Sequence, residues 1–380
     1  MSERIENLTP FFVMEILELA KTLEKKGKKI IHLEIGEPDF ETPAIIKDAA
    51  IKALENGETF YTHSMGMLGL REKIVDYYKN SGVIIDKERI LVTSGTSPGM
   101  LIIFLALIDI GEEVIVVEPS YPCYKNFIKI VSGKEISVQA SDKTGFIPDI
   151  KELKKAISPK TKAIIINSPS NPTGAVYPEK ILQEISKLGI TIVSDEIYHG
   201  LVYQGKEHSI LEYTDNAFVI NGFSKAYAMT GFRLGYVIFP EQFKRTIQNI
   251  HQNFFISANS FVQYAGITAL DNGEKEKEKM RKIFSKRREK LLKELNKYNL
   301  APAVSPKGAF YTMVNLSEMV KDSLQFAKDL LISKQVAVAP GIDFNAEGMI
   351  RLAYTVEEKF IEEGVKRLAE FLKEQYEYKY

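Results

Sequence analysis

The sequence predicts an α/β protein: a mostly parallel sheet of about seven strands with helices on both faces, plus a smaller α+β domain made from both termini. Three observations predict it. Short runs rich in β-branched residues recur from Arg89 onward. Most are separated by segments of helical length, as right-handed crossovers between parallel strands require. And a chain of 380 residues, 45% of them hydrophobic, exceeds one ordinary core, so a large unit and a smaller one are expected.

Taken in order, apolar residues at helical spacing run from Phe12 to about Leu23 and stop at Gly27, where a glycine takes a left-handed cap easily. Residues 29–35 read as a strand, broken by Gly36-Glu37-Pro38-Asp39. Thr42-Pro43 reads as a helix N-cap followed by proline at the first helical position, and Gly57 ends that helix. The sheet strands are expected at 90–93, 114–117, 136–139, 163–167, 191–194, 218–221 and 234–239. Residues 271–298 are rich in lysine and glutamate, with little apolar face at their start, and read as a surface helical connector. Strands at 309–314, 336–339 and 349–354 follow, with helices between. The expected division is 1–40 and 281–380 in the smaller domain and 41–280 in the larger.

Fifty basic residues offset fifty acidic ones, with no dense basic tract, so nucleic acid is not an expected partner. The single cysteine, Cys123, excludes an intramolecular disulfide and any cysteine-rich metal site. It fits a reducing compartment, and the cytoplasm is the simplest reading. The opening residues Met1 to Asn7 lack a basic end followed by an apolar run, and the greasiest stretch, Met100 to Ile108, is too short to span a bilayer. No membrane association is expected. Five histidines form no metal signature, and His199 reads as structural.

In a parallel sheet, ligands bind beyond the carboxyl ends of the strands, so residues following strands are examined first. Thr93-Ser94-Gly95-Thr96-Ser97 opens a helix, and its free N–H groups, hydroxyls and dipole suit an anion; a plain structural cap is the alternative. Ser168-Pro169-Ser170-Asn171-Pro172-Thr173-Gly174 shapes a turn, and Asn171 projects an amide toward the same crevice. Asp195 ends one strand, either as a helix cap or as a buried acid facing a ring nitrogen. Lys225 follows the next, where an apolar neighbourhood would depress its pKa and make it nucleophilic.

Together, Ser168-Pro169-x-Asn171-Pro172-x-Gly174, Asp195-x-x-Tyr198, Ser224-Lys225 and Arg233, with Gly36 and Arg351, resemble the class I/II aminotransferases of the fold type I pyridoxal-phosphate enzymes. The likeness runs from about Ile30 to the last helix. It implies pyridoxal 5'-phosphate as cofactor, an L-amino acid and a 2-oxo acid (2-oxoglutarate) as substrates, and a homodimer.

It also implies a role for each matching position. Lys225 would form the Schiff base with the cofactor aldehyde, then move the proton between the substrate α-carbon and the cofactor. Asp195 would pair with the pyridinium nitrogen, and Tyr198 with Asn171 would hydrogen-bond the ring oxygen. Arg233 and the Gly95-Thr96-Ser97 turn would hold the phosphate, and Tyr121 would stack on the ring, core packing being its alternative. Arg351 and Gly36 would bind the substrate α-carboxylate. Tyr61, in a loop followed by Gly66-x-x-Gly69, resembles the family's tyrosine that crosses a two-fold interface to the neighbouring phosphate; a turn tyrosine is the alternative.

One departure is visible: many relatives carry serine or threonine three positions before the lysine, and this chain has Gly222. Two other functions share the fold. A β-eliminating carbon–sulfur lyase would release pyruvate, ammonia and thiol without an acceptor. A cofactor-sensing regulator would need a DNA-binding module, and the residues before Gly36 offer one helix and one strand. Phe11, Phe12, Tyr121, Tyr124, Phe254, Phe255, Phe310 and Tyr311 are the aromatics that would edge a substrate pocket or else pack the core.

Overall fold

Strands that are apolar along nearly their whole length have both faces to bury, and the sheet they form is covered on both sides. In the computed structural model, which describes residue 6, residues 8–300 and residues 302–380, the strands in chain order are β1 (Ile31–His32), β2 (Ile90–Thr93), β3 (Glu113–Glu118), β4 (Lys134–Gln139), β5 (Thr161–Asn167), β6 (Thr191–Asp195), β7 (Ala217–Gly222), β8 (Gly235–Ile238), β9 (Tyr311–Asn315), β10 (Val336–Ala337), β11 (Ala339–Pro340) and β12 (Met349–Ala353). The large sheet has seven strands in the order β2-β8-β7-β6-β5-β3-β4. Only β8 runs against its neighbours. A three-stranded antiparallel sheet, β11-β12-β9, comes from the C-terminal part, and β1, from the N-terminal segment, pairs in parallel with β10. Of the segment 1–7, read for a leader, only Glu6 falls among the described residues. No helix among the described residues is long and apolar enough to cross a membrane.

Two packed regions meet near the site. Ile46, Leu70, Ile115, Ile164, Val219 and Ala265 belong to one core cluster against the large sheet. Ile16, Leu33, Phe284, Leu330, Ile350 and Leu368 belong to another, which reaches the large sheet through Ile197, Tyr198, Leu201 and Ala228. Tyr198 therefore sits on the seam.

Four local expectations are revised. The strand at 29–35 shortens to β1, because beyond its register with Val336 and Ala337 the chain wedges between two strands: Leu33 donates to Ala337 O at 3.0 Å and accepts from Ala353 N at 2.7 Å. The run at 336–339 splits into β10 and β11, which join different sheets. Pro43, in extended backbone, takes the N-cap position of the helix Ala44–Glu55, while the Thr42 hydroxyl donates to the Ala228 carbonyl and caps nothing. The charged segment 271–298 is not a surface connector. Its helix Glu274–Lys297 buries Met280, Phe284, Leu291 and Leu295 and packs on the helix Glu358–Tyr376. Arg287 on that helix reaches Asp39 with both nitrogens, at 2.7 and 2.9 Å.

Candidate active site

The carboxyl ends of β2, β3, β5, β6 and β7 share one edge of the sheet, and β8, reversed, begins there. A cavity of about 360 Å³ opens over that edge. Each strand end delivers part of its lining: Thr96 and Ser97 after β2, Tyr121 and Tyr124 after β3, Asn167 and Asn171 at β5, Asp195 and Tyr198 at β6, Ser224 and Lys225 after β7, Arg233 before β8. Gly36, Tyr311 and Arg351 face them from the C-terminal side.

Lys225 Nζ donates to the Gly36 carbonyl at 2.7 Å. Burial lowers its pKa to about 8, against the upward pull of Glu37, with Arg351 and Arg233 adding to the depression. Asp195 accepts two hydrogen bonds. Its Oδ1 accepts from Ile197 N at 3.1 Å, as a cap would, and its Oδ2 accepts from the Tyr124 hydroxyl at 2.6 Å inside the cavity. Burial raises the Asp195 pKa, with the Tyr124 hydrogen bond opposing, so a cationic partner is what would keep it ionised.

Arg351 is 3% exposed, with Nη1 donating to Asn171 Oδ1 at 2.9 Å and Nη2 to the Glu34 carbonyl. Its guanidinium lies 4.4 Å from the Tyr311 ring centroid and 4.8 Å from that of Phe344, and its Nε is buried without a partner. A buried cation with an unused donor fits an incoming carboxylate. The hydroxyls of Tyr198 and Tyr311 meet at 2.9 Å. Tyr121 packs edge-on to Phe11 and Tyr124.

The helix Thr96–Leu107 starts at the cavity, leaving its first N–H groups unpaired within the helix. Gly95, at φ +94°, allows the Arg233 guanidinium to lie against that turn, where any Cβ would collide with it. Backbone N–H groups, two hydroxyls and an arginine form an anion cradle. Gly222 also has a steric cause: a Cβ there would stand 2.9 Å from the Leu234 carbonyl oxygen and 3.0 Å from Gly235 Cα. A serine or threonine at 222 would force β7 and β8 apart. Ser224, two positions on, lines the cavity.

Every expected site residue but two lines this cavity. Gly95 contributes through Arg233, as described. Tyr61 is 81% exposed and lies outside the cavity of its own chain. Of the eight aromatics, Phe11, Tyr121, Tyr124 and Tyr311 line it, whereas Phe310 is core and Phe254 is exposed on the surface. His199 lies outside, its Nδ1 3.5 Å from Glu196. Asn167, Glu37 and Thr230 line the cavity although the sequence reading gave them no role, as does Ser224, which entered only within the Ser224-Lys225 motif; Asn167 ends β5 and Ser224 follows β7, so both were open to the same reasoning. Among the described residues no His, Cys, Asp and Glu group is arranged to hold a metal ion.

A desolvated amine, a carboxylate on the cavity floor, an anion cradle and an arginine with a free donor fit a phosphorylated pyridine aldehyde and an amino acid beside it. The sequence pattern of the family "Aminotransferase class I and II" matches residues 28–368. A (5-formylfuran-3-yl)methyl phosphate transaminase of Methanocaldococcus jannaschii is 44% identical, across 98% of this chain and 99% of its own. The aspartate/prephenate aminotransferase of Thermus thermophilus is 34% identical, across 98% of each. Among solved structures, a mutant of the Thermus thermophilus aspartate aminotransferase superposes with a TM-score of 0.93, at 34% identity over 97% of this chain and 99% of that one. A Methanococcus jannaschii protein, described as similar in its active site to kynurenine aminotransferases, gives 0.91 at 43% identity over 98% and 100%. The chain belongs to the class I and II aminotransferases and is a pyridoxal-phosphate-dependent aminotransferase.

Proposed function

We propose that Lys225 holds the cofactor through its aldehyde and then carries the proton on and off the substrate α-carbon. The observation that carries this reading is the amine itself: partly buried, depressed to about 8, and flanked by an acid and two arginines in one cavity. When bound, pyridoxal phosphate would supply an aldehyde carbon able to exchange the Lys225 amine for the substrate amine and a ring able to draw electron density from the α-carbon. Asp195 holds the ring nitrogen's proton by charge. Arg233, with Gly95, Thr96 and Ser97, neutralises the phosphate. Asn171, its Oδ1 already accepting from Arg351, donates through its NH₂ to the ring oxygen beside Tyr198. Tyr121 covers one ring face, while Arg351 and Gly36 seat the α-carboxylate.

The reaction is transfer of an amino group from an L-amino acid to a 2-oxo acid. Mixing holoenzyme with amino donors and 2-oxo acids should give the new amino acid, and cystathionine alone should give no pyruvate or ammonia. Steady release of pyruvate, ammonia and thiol without an acceptor would establish the lyase instead.

The acting unit on this reading is a cytoplasmic homodimer working on small molecules, without nucleic acid or membrane. Its support is the balanced charge, the lone cysteine and an exposed aromatic patch. Phe60 and Tyr61 are 82% and 81% exposed, and the next residue, Thr62, donates to Ser257 close to the 70%-exposed Phe254. Tyr61 then serves the partner's phosphate. Inactive Tyr61→Ala and Lys225→Ala proteins, once their subunits exchange, should regain about half the wild-type activity per mixed dimer, since one of its two sites escapes both lesions. No recovery after verified exchange, with Tyr61→Ala inactive alone, would put Tyr61 in cis. The three-segment domain division is kept within this proposal, although its boundary at 280 falls inside the helix Glu274–Lys297.

A further inference from the structure

The charged groups lining the cavity are Glu37, Asp195, Lys225, Arg233 and Arg351. On the roles proposed above, on which this inference rests, all three cations are committed: to the aldehyde, the phosphate and the α-carboxylate. No cation among the described lining residues is left to meet a second carboxylate. Glu37, whose Oε1 accepts from the Thr230 hydroxyl, adds negative charge at the rim.

One wall of the cavity is apolar: Phe11, Val13, Met14, Leu17 and Ile35. Three of these, Val13, Met14 and Leu17, belong to the start of the helix Phe12–Lys25 and Phe11 is its N-cap residue, with no side-chain cap of its own. Its Phe12 and Val13 N–H groups donate instead to Asp343 Oδ1 and Oδ2, at 2.9 and 2.7 Å. Asp343 is 6% exposed and sits in the turn Gly341–Phe344, whose Phe344 ring packs on Arg351. One short turn thus fixes both the apolar wall and a face of the carboxylate anchor.

We propose that Phe11, Met14 and Leu17 read the substrate side chain and select amino donors with uncharged apolar or aromatic side chains, with Asp343 as the positioning residue that holds this wall against the Arg351 anchor. The same cavity serves the acceptor, so uncharged 2-oxo acids outrank 2-oxoglutarate, the reverse of what the family likeness implies. Burial raises the Asp343 pKa to about 6; its two backbone hydrogen bonds and Arg351 pull it down, Glu15 pushes it up, and Cys123 also faces it. Above that value the carboxylate accepts both N–H groups. Below it one acceptor is lost, so donor KM rises as pH falls through about 6.

The test is the donor half-reaction of the holoenzyme without acceptor, followed by cofactor absorbance for alanine, leucine, phenylalanine, aspartate and glutamate. Uncharged donors should exceed the two acidic ones in kcat/KM by roughly tenfold or more. Met14→Arg, at a 46%-exposed position that tolerates charge, should narrow that gap by improving the acidic donors. Asp343→Asn keeps shape and one acceptor; it should raise KM for apolar donors with kcat little changed and remove the limb near pH 6. Preference for aspartate or glutamate in the wild type overturns the wall as reader. An unchanged KM and a retained limb in Asp343→Asn overturn the positioning role. Arg351→Ala separates the two levels: KM rising for every donor leaves the roles above intact whatever the ranking, whereas loss confined to acidic donors removes those roles themselves.

Discussion

Lys225→Ala is expected to lower transamination by about 10⁴-fold or more, the largest loss of any single change, because the residue that binds the aldehyde and the base that moves the α-proton disappear together. Among the described residues no other lysine lines the cavity. The variant should still bind the cofactor through the anion cradle and Asp195, so cofactor retention separates lost chemistry from lost folding. Borohydride reduction followed by peptide mapping gives the direct readout. In the wild type the cofactor should be trapped on the peptide containing Lys225, and in the variant on none. Trapping on a different lysine would remove Lys225 from its role.

Asp195→Asn should retain cofactor and lose about 10²- to 10³-fold in the rate of α-proton removal, the scale seen when one preorganised electrostatic group is neutralised. The carboxylate is buried, and burial alone pushes its pKa up. On the proposed reading, Asp195 would be held ionised by a protonated ring nitrogen and would in turn hold that proton. An amide of the same shape keeps one acceptor for the Ile197 N–H and turns an NH₂ donor toward the Tyr124 oxygen, but it carries no charge. Single-turnover absorbance with a saturating donor measures the step. Near-normal rates would reduce Asp195 to a cap for the Ile197 N–H.

Much of the fold was legible because the sheet strands, all but the edge strand β4 buried on both faces, show as β-branched runs, and their observed bounds differ by only a residue or two. The site was legible for a related reason. Parallel strands send their carboxyl ends to one edge, so Thr96, Asn171, Asp195 and Lys225 announce themselves by following strands. What stayed hidden depended on distant chain. The cap on the helix's first turn comes from Asp343, so nothing local marks Val13, Met14 and Leu17 as a cavity wall. Gly222 reads as a missing phosphate ligand until the Leu234 carbonyl is seen against it. The buried stripe Met280, Phe284, Leu291, Leu295 was masked by the density of lysine and glutamate around it.

The parallel pair of β1 with β10 joins Ile31 to Val336. Closing a loop of that length costs about 5 kcal/mol in chain entropy before any contact offsets it. Contacts this remote in sequence form late, and on a ribosome they cannot form until residue 336 has emerged. The large sheet, whose strands all lie between residues 90 and 238, can pair earlier. Arg351 on β12 and the apolar wall at residues 11–17 therefore reach the strand-end edge last, and the cavity is assembled only after residue 351 has emerged.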